Sequence, residues 1–325
     1  MLQNLYITFQ VVFPFMAYLG LGLFLKAVHA VDDAFLRRLN HFLTTVLLPV
    51  KMFDSIYNKD LAEAFRTPVA IYAGLGTVLV MLVTLALVSR LEKDPAKQGA
   101  LVHAIARGNV MLFALPMAQG IFGEDVAEIV IVLAVVVLVN NVQALPLMEH
   151  FRKKVRIAKG ELSEGKHTSV KQLLLDCLKT PLLDSVILGI LWSLSGLSLP
   201  IFLAVPVGGL ADTVVPLAFL VLGASLNLGH LKANRRNVIL SVFLKLVVVP
   251  AVFIILPIAA GWGEKSIVAC LVAFGSPTAV IAYAMTETYE CDGHLAGEIV
   301  SLTSFLSMFS IFLWIFSLKQ LGIIS

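Results

Sequence analysis

Ala106 to Gly123 read ARGNVMLFALPMAQGIFG, an apolar run interrupted by an arginine, a glycine–asparagine pair and Pro116. Proline removes a backbone donor and clashes with the preceding turn. Lipid cannot satisfy the freed backbone groups. Such a break survives only where it is buried in protein or lines a wet cavity. A second stretch matches it: Ala273 to Ala284, AFGSPTAVIAYA, with Pro277. Both read Phe-x-x-Pro, from Phe113 to Pro116 and from Phe274 to Pro277. Pro116 and Pro277 are therefore expected at two broken membrane helices. Broken helices in corresponding halves of a membrane chain point to a ligand site at the bilayer midplane.

The rest of the composition agrees with a membrane. Of 325 residues, 59% are hydrophobic and 14% charged, and the mean hydropathy is +0.93. A globular domain would carry nearer a quarter charged residues. A spanning helix needs about 20 apolar residues. Ten segments qualify: 4–26, 38–57, 67–89, 98–122, 126–149, 174–196, 204–228, 237–260, 264–286 and 295–318. The expected fold class is an all-α integral membrane protein of ten transmembrane helices, the fourth and ninth broken. The first segment lacks the basic start of a signal peptide and is too long for one, so a retained helix is expected. Cys177, Cys270 and Cys291 form no metal spacing and no even disulfide set. No metal site, cofactor or nucleic-acid partner is expected.

Lysine and arginine set orientation. Arg152, Lys153, Lys154, Arg156, Lys159 and Lys166 crowd one connection. Lys26, Arg37, Arg38, Arg90, Lys93, Lys97, Lys232, Arg235 and Arg236 fall in loops on the same side. The opposite side has Lys59, Arg66, Lys265 and Lys319. This bias puts both termini outside the cytoplasm and the basic connection inside, next to anionic lipid. Prolines recur between the halves. Pro14 and Pro181 are 167 apart (181 − 14), as are Pro49 and Pro216 (216 − 49); Pro116 and Pro277 are 161 apart (277 − 116). The spacing predicts two five-helix repeats, 1–150 and 173–325, joined by a basic linker, 151–172. About six residues would be missing from the second copy. An odd helix number per repeat inverts the second copy.

Several stretches carry a family resemblance: LNHFLTTVLLPVKMFDSI, RGNVMLFALPMAQGIFGED, LKTPLLDSVILGILWSLSGLSLP, LADTVVPLAFLVLGASLNLG, LKLVVVP and GSPTAVIAYAMTETYECDG. They cover most of both halves, in family order. The chain resembles the auxin efflux carrier family, which includes plant auxin carriers and bacterial malonate and malate carriers. The resemblance implies crossing fourth and ninth helices, with substrate at the crossing. It implies a scaffold of helices one, two, six and seven that usually dimerises. The other six helices (3–5 and 8–10) would form a mobile, elevator-type transport domain in the cell's inner membrane. One departure is visible. The family's first break often reads Asn-Thr-Gly, whereas here it is Gly108-Asn109-Val110. The backbone can still bend, but a hydroxyl is gone, so the substrate is expected to differ.

A central membrane charge costs roughly 2.5–3.5 kcal/mol on insertion scales. Lys51, Arg107 and Lys245 therefore each need a partner or a purpose. Arg107 stands at the C-terminal end of a half-helix. It is expected either to cap that end's carbonyls or to hold an anionic substrate. Lys51 is expected to snorkel outward and to pair with Asp54 at i+3. Lys245 is expected to snorkel or to brace the crossing. Each break frees a half-helix N-terminus, which suits an anion. Gly108, Asn109, Gly275, Ser276 and Thr278 lie there and either bind substrate or cap the half-helices. Asn140, Asn141 and Gln143 cluster on helix five, and at least one is expected to face the site. Asn227 and His103 are weaker candidates.

These residues fit a secondary carrier of a small organic anion, a carboxylate or dicarboxylate. The alternative is a cation/proton antiporter of related architecture. That activity wants a titrating carboxylate on helix five, where this chain has Asn140 and Asn141. Zinc-protease, serine-hydrolase and nucleotide-loop motifs are absent, so no enzyme and no primary pump is expected. Carrying a dianion inward against 100 mV costs about 4.6 kcal/mol. Uptake would need a coupling ion, proton or sodium.

Overall fold

A computed structural model of the chain describes residues 2–57, 68–161, 181–225 and 234–324. Cys177, Asn227, Lys59, Arg66, Lys166 and Lys232 lie outside these residues, as does the linker beyond 161. The elements are helical and are labelled in chain order. They are α1 (Leu2–Ala27); α2 (Asp33–Phe42, a π-helical turn Leu43–Leu47, then Leu48–Asp54); α3 (Val69–Leu91); α4a (Pro95–Ala106); and α4b (a π-helical turn Val110–Ala114, then Leu115–Phe122). Next come α5 (Ala127–Ala158), α6 (Pro181–Ser195) and α7 (Ile201–Ala224). The last are α8 (Arg235–Phe243, a π-helical turn Leu244–Val248, then Val249–Ala259); α9a (Glu264–Gly275); α9b (Ile281–Thr288); and α10 (Gly293–Gln320).

Five of these are long and apolar enough to cross a bilayer unaided: α3, α5, α7, α8 and α10. The chain is an all-α, multi-pass membrane protein. The composition of α3 shows which solvent it faces. Its inward stripe is small or hydroxylated: Ala73, Thr77, Val80, Thr84 and Val88. Its outward stripe is Ile71, Leu75, Leu79 and Leu82, each at least half exposed. An apolar band of that extent in water would drive association; in a bilayer it meets lipid tails. The inward Thr77 hydroxyl is satisfied by the Ala73 carbonyl, 2.7 Å away.

The most extensive contact between elements is α1 with α7. Glycines allow it. A Cβ on Gly22 would overlap the Leu220 carbonyl, and one on Gly223 the Leu19 carbonyl. Both obstacles are backbone, so neither can yield. Close approach through small residues is how helices associate where lipid removes the hydrophobic drive. α2 packs on α6 and α7, while α3, α4, α5, α8, α9 and α10 pack on one another. α10 also lies along α1.

Three sequence expectations change here. First, Pro116 does not make the fourth-helix break. It is the second residue of the segment after the π-helical turn Val110–Ala114. Pro49 and Pro250 stand in the same place after the other two π-helical turns. The reason is local. Proline offers no N–H and its ring strikes the carbonyl four residues back. Widening one turn moves that carbonyl away, so the helix continues through the proline. Second, helix positions recur along the chain at steadier offsets than the proline pairs do, Pro116 with Pro277 among them. α4a and α9a begin 169 apart (264 − 95) and end 169 apart (275 − 106). α3 and α8 begin 166 apart (235 − 69), as do α5 and α10 (293 − 127). No six-residue loss remains. Third, α5 runs on to Ala158, so the first residues of the expected linker, Arg152 to Arg156 among them, are helical.

Candidate functional site

The two breaks meet. α4a ends where Arg107 turns extended (φ −94, ψ 106), and α9a ends where Ser276 does (φ −63, ψ 146). Pro277 dictates the second, because the residue before a proline is pushed out of the helical region. The two extended strands pair antiparallel at Gly108 and Thr278. Asn109 N–H donates to the Pro277 carbonyl at 2.6 Å, and Ala279 N–H donates to the Arg107 carbonyl at 3.0 Å. The pair thus satisfies backbone groups that lipid could not. Gly108 is required by this approach. A Cβ there would overlap Ser276 Oγ and stand 3.2 Å from Lys245 Nζ and 3.3 Å from the Ala273 carbonyl.

The crossing is electrically ordered. Two helix C-termini, of α4a and α9a, reach it from one pair of half-helices. Two N-termini, of α4b and α9b, leave it. Each end carries roughly half a charge, negative at C-termini and positive at N-termini. The hydroxyls on the α9 side are satisfied from α9a, α4a and α10. Thr278 Oγ1 donates to the Ala104 carbonyl at 2.8 Å, Thr278 N–H donates to Thr303 Oγ1 at 3.1 Å, and Ser276 Oγ donates to the Ala273 carbonyl at 3.1 Å. The α4 side is not. Asn109 is buried, and its Nδ2 has no hydrogen-bond partner among the described residues.

Arg107 leaves its own helix end and reaches α5. Its Nη2 donates to Asn141 Oδ1 at 2.6 Å, and its Nη1 contacts the Asn140 carbonyl at 3.4 Å and Met285 Sδ at 3.9 Å. The guanidinium thus ties the end of α4a to α5. Asn140 Oδ1 accepts from Gln143 Nε2 at 3.2 Å. Arg107, Gly108, Asn109, Asn140, Asn141, Ser276, Pro277 and Thr278 are thus gathered at or beside the crossing. Gly275 closes α9a with ordinary contacts only, 3.5 Å and beyond from its absent Cβ. Pro116 is seven residues downstream of Asn109, inside α4b.

The two lysines follow part of their expectation: neither snorkels, but Lys51 pairs with Asp54 and Lys245 reaches the crossing. Lys51 does not snorkel; its side chain is 2% exposed. It is ringed by Glu124 at 3.5 Å, Asp212 at 3.8 Å and Asp54 at 3.9 Å. This cluster joins α2, α7 and the turn before α5, and is separate from the crossing. Lys245 is equally buried and carries its ammonium to Gly108. Sequence reasoning missed Thr303, whose only signal was the hydroxyl-rich run Ser301-Leu302-Thr303-Ser304. It also missed Glu124 and Asp212, which lie far from Lys51 in sequence. His103, rated weak, is buried with neither ring nitrogen hydrogen-bonded among the described residues.

Comparison with known proteins fits this geometry. Residues 6–315 match the family described as membrane transport protein. An uncharacterized transporter of Methanocaldococcus jannaschii is 25% identical over 303 residues, spanning 90% of this chain and 93% of its own. The family is one of transport, not catalysis. Over almost its whole length, then, the chain belongs to the membrane transport protein family, the secondary transporters that include the auxin efflux carriers.

Proposed function

We propose that the protein is a secondary carrier of a small organic anion, bound at the α4–α9 crossing. One observation carries the reading: a buried amide donor on Asn109 without a partner among the described residues, at the N-terminus of α4b and two residues after Arg107. Buried donors are normally satisfied, and a half-helix N-terminus favours negative charge. A carboxylate answers both. Arg107 would pair with it through its planar fork, while Asn140 and Asn141 on α5 hold that fork in place. Gly275, Ser276, Pro277 and Thr278 would shape the opposite wall. The resemblance to malonate and malate carriers favours a dicarboxylate over other carboxylates.

The same reading takes ten spanning helices in two inverted repeats, 1–150 and 173–325. Near-constant offsets of 166 to 169 between matching helix starts support it. Helices α1, α2, α6 and α7, which pack together, would be a dimerising scaffold. The remaining six would move as an elevator. Both termini would lie outside the cytoplasm, in the cell's inner membrane. The test is counterflow in reconstituted vesicles. Vesicles loaded with unlabelled malonate or malate should take up labelled compound, and Asn109→Ala should weaken that uptake. No counterflow with either dicarboxylate would overturn the assignment.

A further inference from the structure

Lys245 has a role that anion binding alone does not explain. It sits in the π-helical turn of α8, 2% exposed. Its Nζ lies 3.2 Å from the place a Gly108 Cβ would take. Its side chain makes no hydrogen bond and no ion pair among the described residues. The elements packed on this turn are the flanking parts of α8, then α4a, α9a and α10. Their interior titratable groups are His103 with Arg107 on α4a, Cys270 on α9a and Glu298 on α10. Toward their ends lie Lys97, Arg235, Arg236, Glu264, Lys265, Asp292, His294 and Lys319. None of these pairs with Lys245.

A bracing ammonium would hold acceptors; this one holds none. A buried, unpaired ammonium is penalised by desolvation, and lysine escapes the penalty by releasing its proton. Arginine cannot. Negative charge at the crossing reverses the balance, because an anion nearby favours the charged amine.

We propose that Lys245 is the proton site that couples transport to the proton gradient. This inference rests on the carrier reading above. The amine binds one proton from the side of entry as the anion binds, giving –NH3+ beside the carboxylate. Both cross together. On the far side the anion leaves and –NH3+ returns to –NH2, releasing the proton. The empty carrier then returns without an unpaired charge. One proton cancels one of a dicarboxylate's two charges per cycle, which halves the cost of carrying it against the membrane potential.

The test uses full-length protein in vesicles with labelled malonate and, in parallel, labelled malate. Wild type should accumulate label when the outer solution is acidified, and should also exchange label without a gradient. In Lys245→Arg the charge is fixed. Gradient-driven accumulation should fall at least tenfold relative to exchange. In Lys245→Met no proton site remains, and accumulation should again lose its response to the gradient. Melting curves check that both variants fold. A merely structural cation would be replaced by arginine, so a Lys245→Arg protein that accumulates like wild type overturns the proposal. Wild type that exchanges label but ignores the gradient overturns it alone. Wild type that exchanges neither compound overturns the carrier reading with it.

Discussion

The two breaks look alike in sequence and are used differently. At the α9 break the hydroxyls of Ser276, Thr278 and Thr303 all have partners: Ser276 donates to Ala273, Thr278 to Ala104, and Thr303 accepts from the Thr278 N–H. Around the α4 break, Asn109 Nδ2 has none, and Arg107 reaches across to amides on α5. One break is braced and the other is left with capacity. A pair of interrupted helices can thus be near-symmetric in backbone while one member is fully tied into the fold and the other keeps an unused donor. The far ends of the half-helices differ too. Beyond α4b, Glu124 faces the buried Lys51. Beyond α9b, Glu290 pairs with Arg156 and Arg152 near the surface.

The strongest way to break the comparison is Gly108→Val. It removes the space that lets the two strands pair. Overpacking costs about 1–3 kcal/mol, and here it also parts backbone groups that have no lipid substitute. Melting temperature and substrate binding should fall together. A Gly108→Val protein with wild-type melting would mean that the crossing does not need this contact.

Arg107→Lys is expected next. It keeps a cation but loses the planar fork. One charge-assisted contact is worth about 1.5–3 kcal/mol, or roughly ten- to a hundredfold in affinity. Calorimetric titration with malonate measures it, beside a melting curve. If the guanidinium holds substrate, affinity should suffer more than stability. Unchanged affinity with a lowered melting temperature would make Arg107 a structural tie between α4a and α5.

Asn109→Ala against Ser276→Ala sharpens the contrast. The Asn109 donor is free to meet a ligand; losing it should cost about 0.5–1.5 kcal/mol of binding, roughly two- to tenfold. The Ser276 hydroxyl already serves Ala273. Its loss should show in melting temperature first and affinity second. Equal losses of affinity in both would erase the distinction between the breaks.

The smallest effect concerns Glu290. Its carboxyl is held below the ordinary value of 4.5, first by the hydrogen bond from Arg156, then by the charges of Arg156 and Arg152. A lowered folded value stabilises above the unfolded one and is lost as pH falls through it. The contribution is therefore complete above about pH 4.5 and fades below. The pair is exposed, so the effect is modest. Glu290→Gln should melt slightly below wild type at neutral pH and match it in acid. A gap that persists in acid would mean that the carboxylate charge is not what ties α9b to α5.

Much of this was legible in residues 1–325 as letters. Length and hydropathy of segments such as Val69–Leu91 fixed a membrane solvent, because a helix with a lipid-facing Ile71-Leu75-Leu79 stripe has no aqueous home. Pro277 marked its break correctly, since its ring constrains Ser276 whatever surrounds it. These are local effects, and local chemistry is written in order along the chain. Pro116 shows the limit. The same residue type, in a matching Phe-x-x-Pro frame, is absorbed by a π-helical turn, and the true break moved to Gly108. That position is set by what it must pass, Ser276 and Lys245, which lie more than 130 residues away in sequence. Likewise the partners of Lys51 come from three elements, and Arg107 finds Asn141 on another helix. Where a charge is neutralised depends on distances through space, which hydropathy and spacing do not encode. The chain's order established which helices exist and which could bend; packing established which bend was needed, and left the Asn109 amide donor without a partner among the described residues.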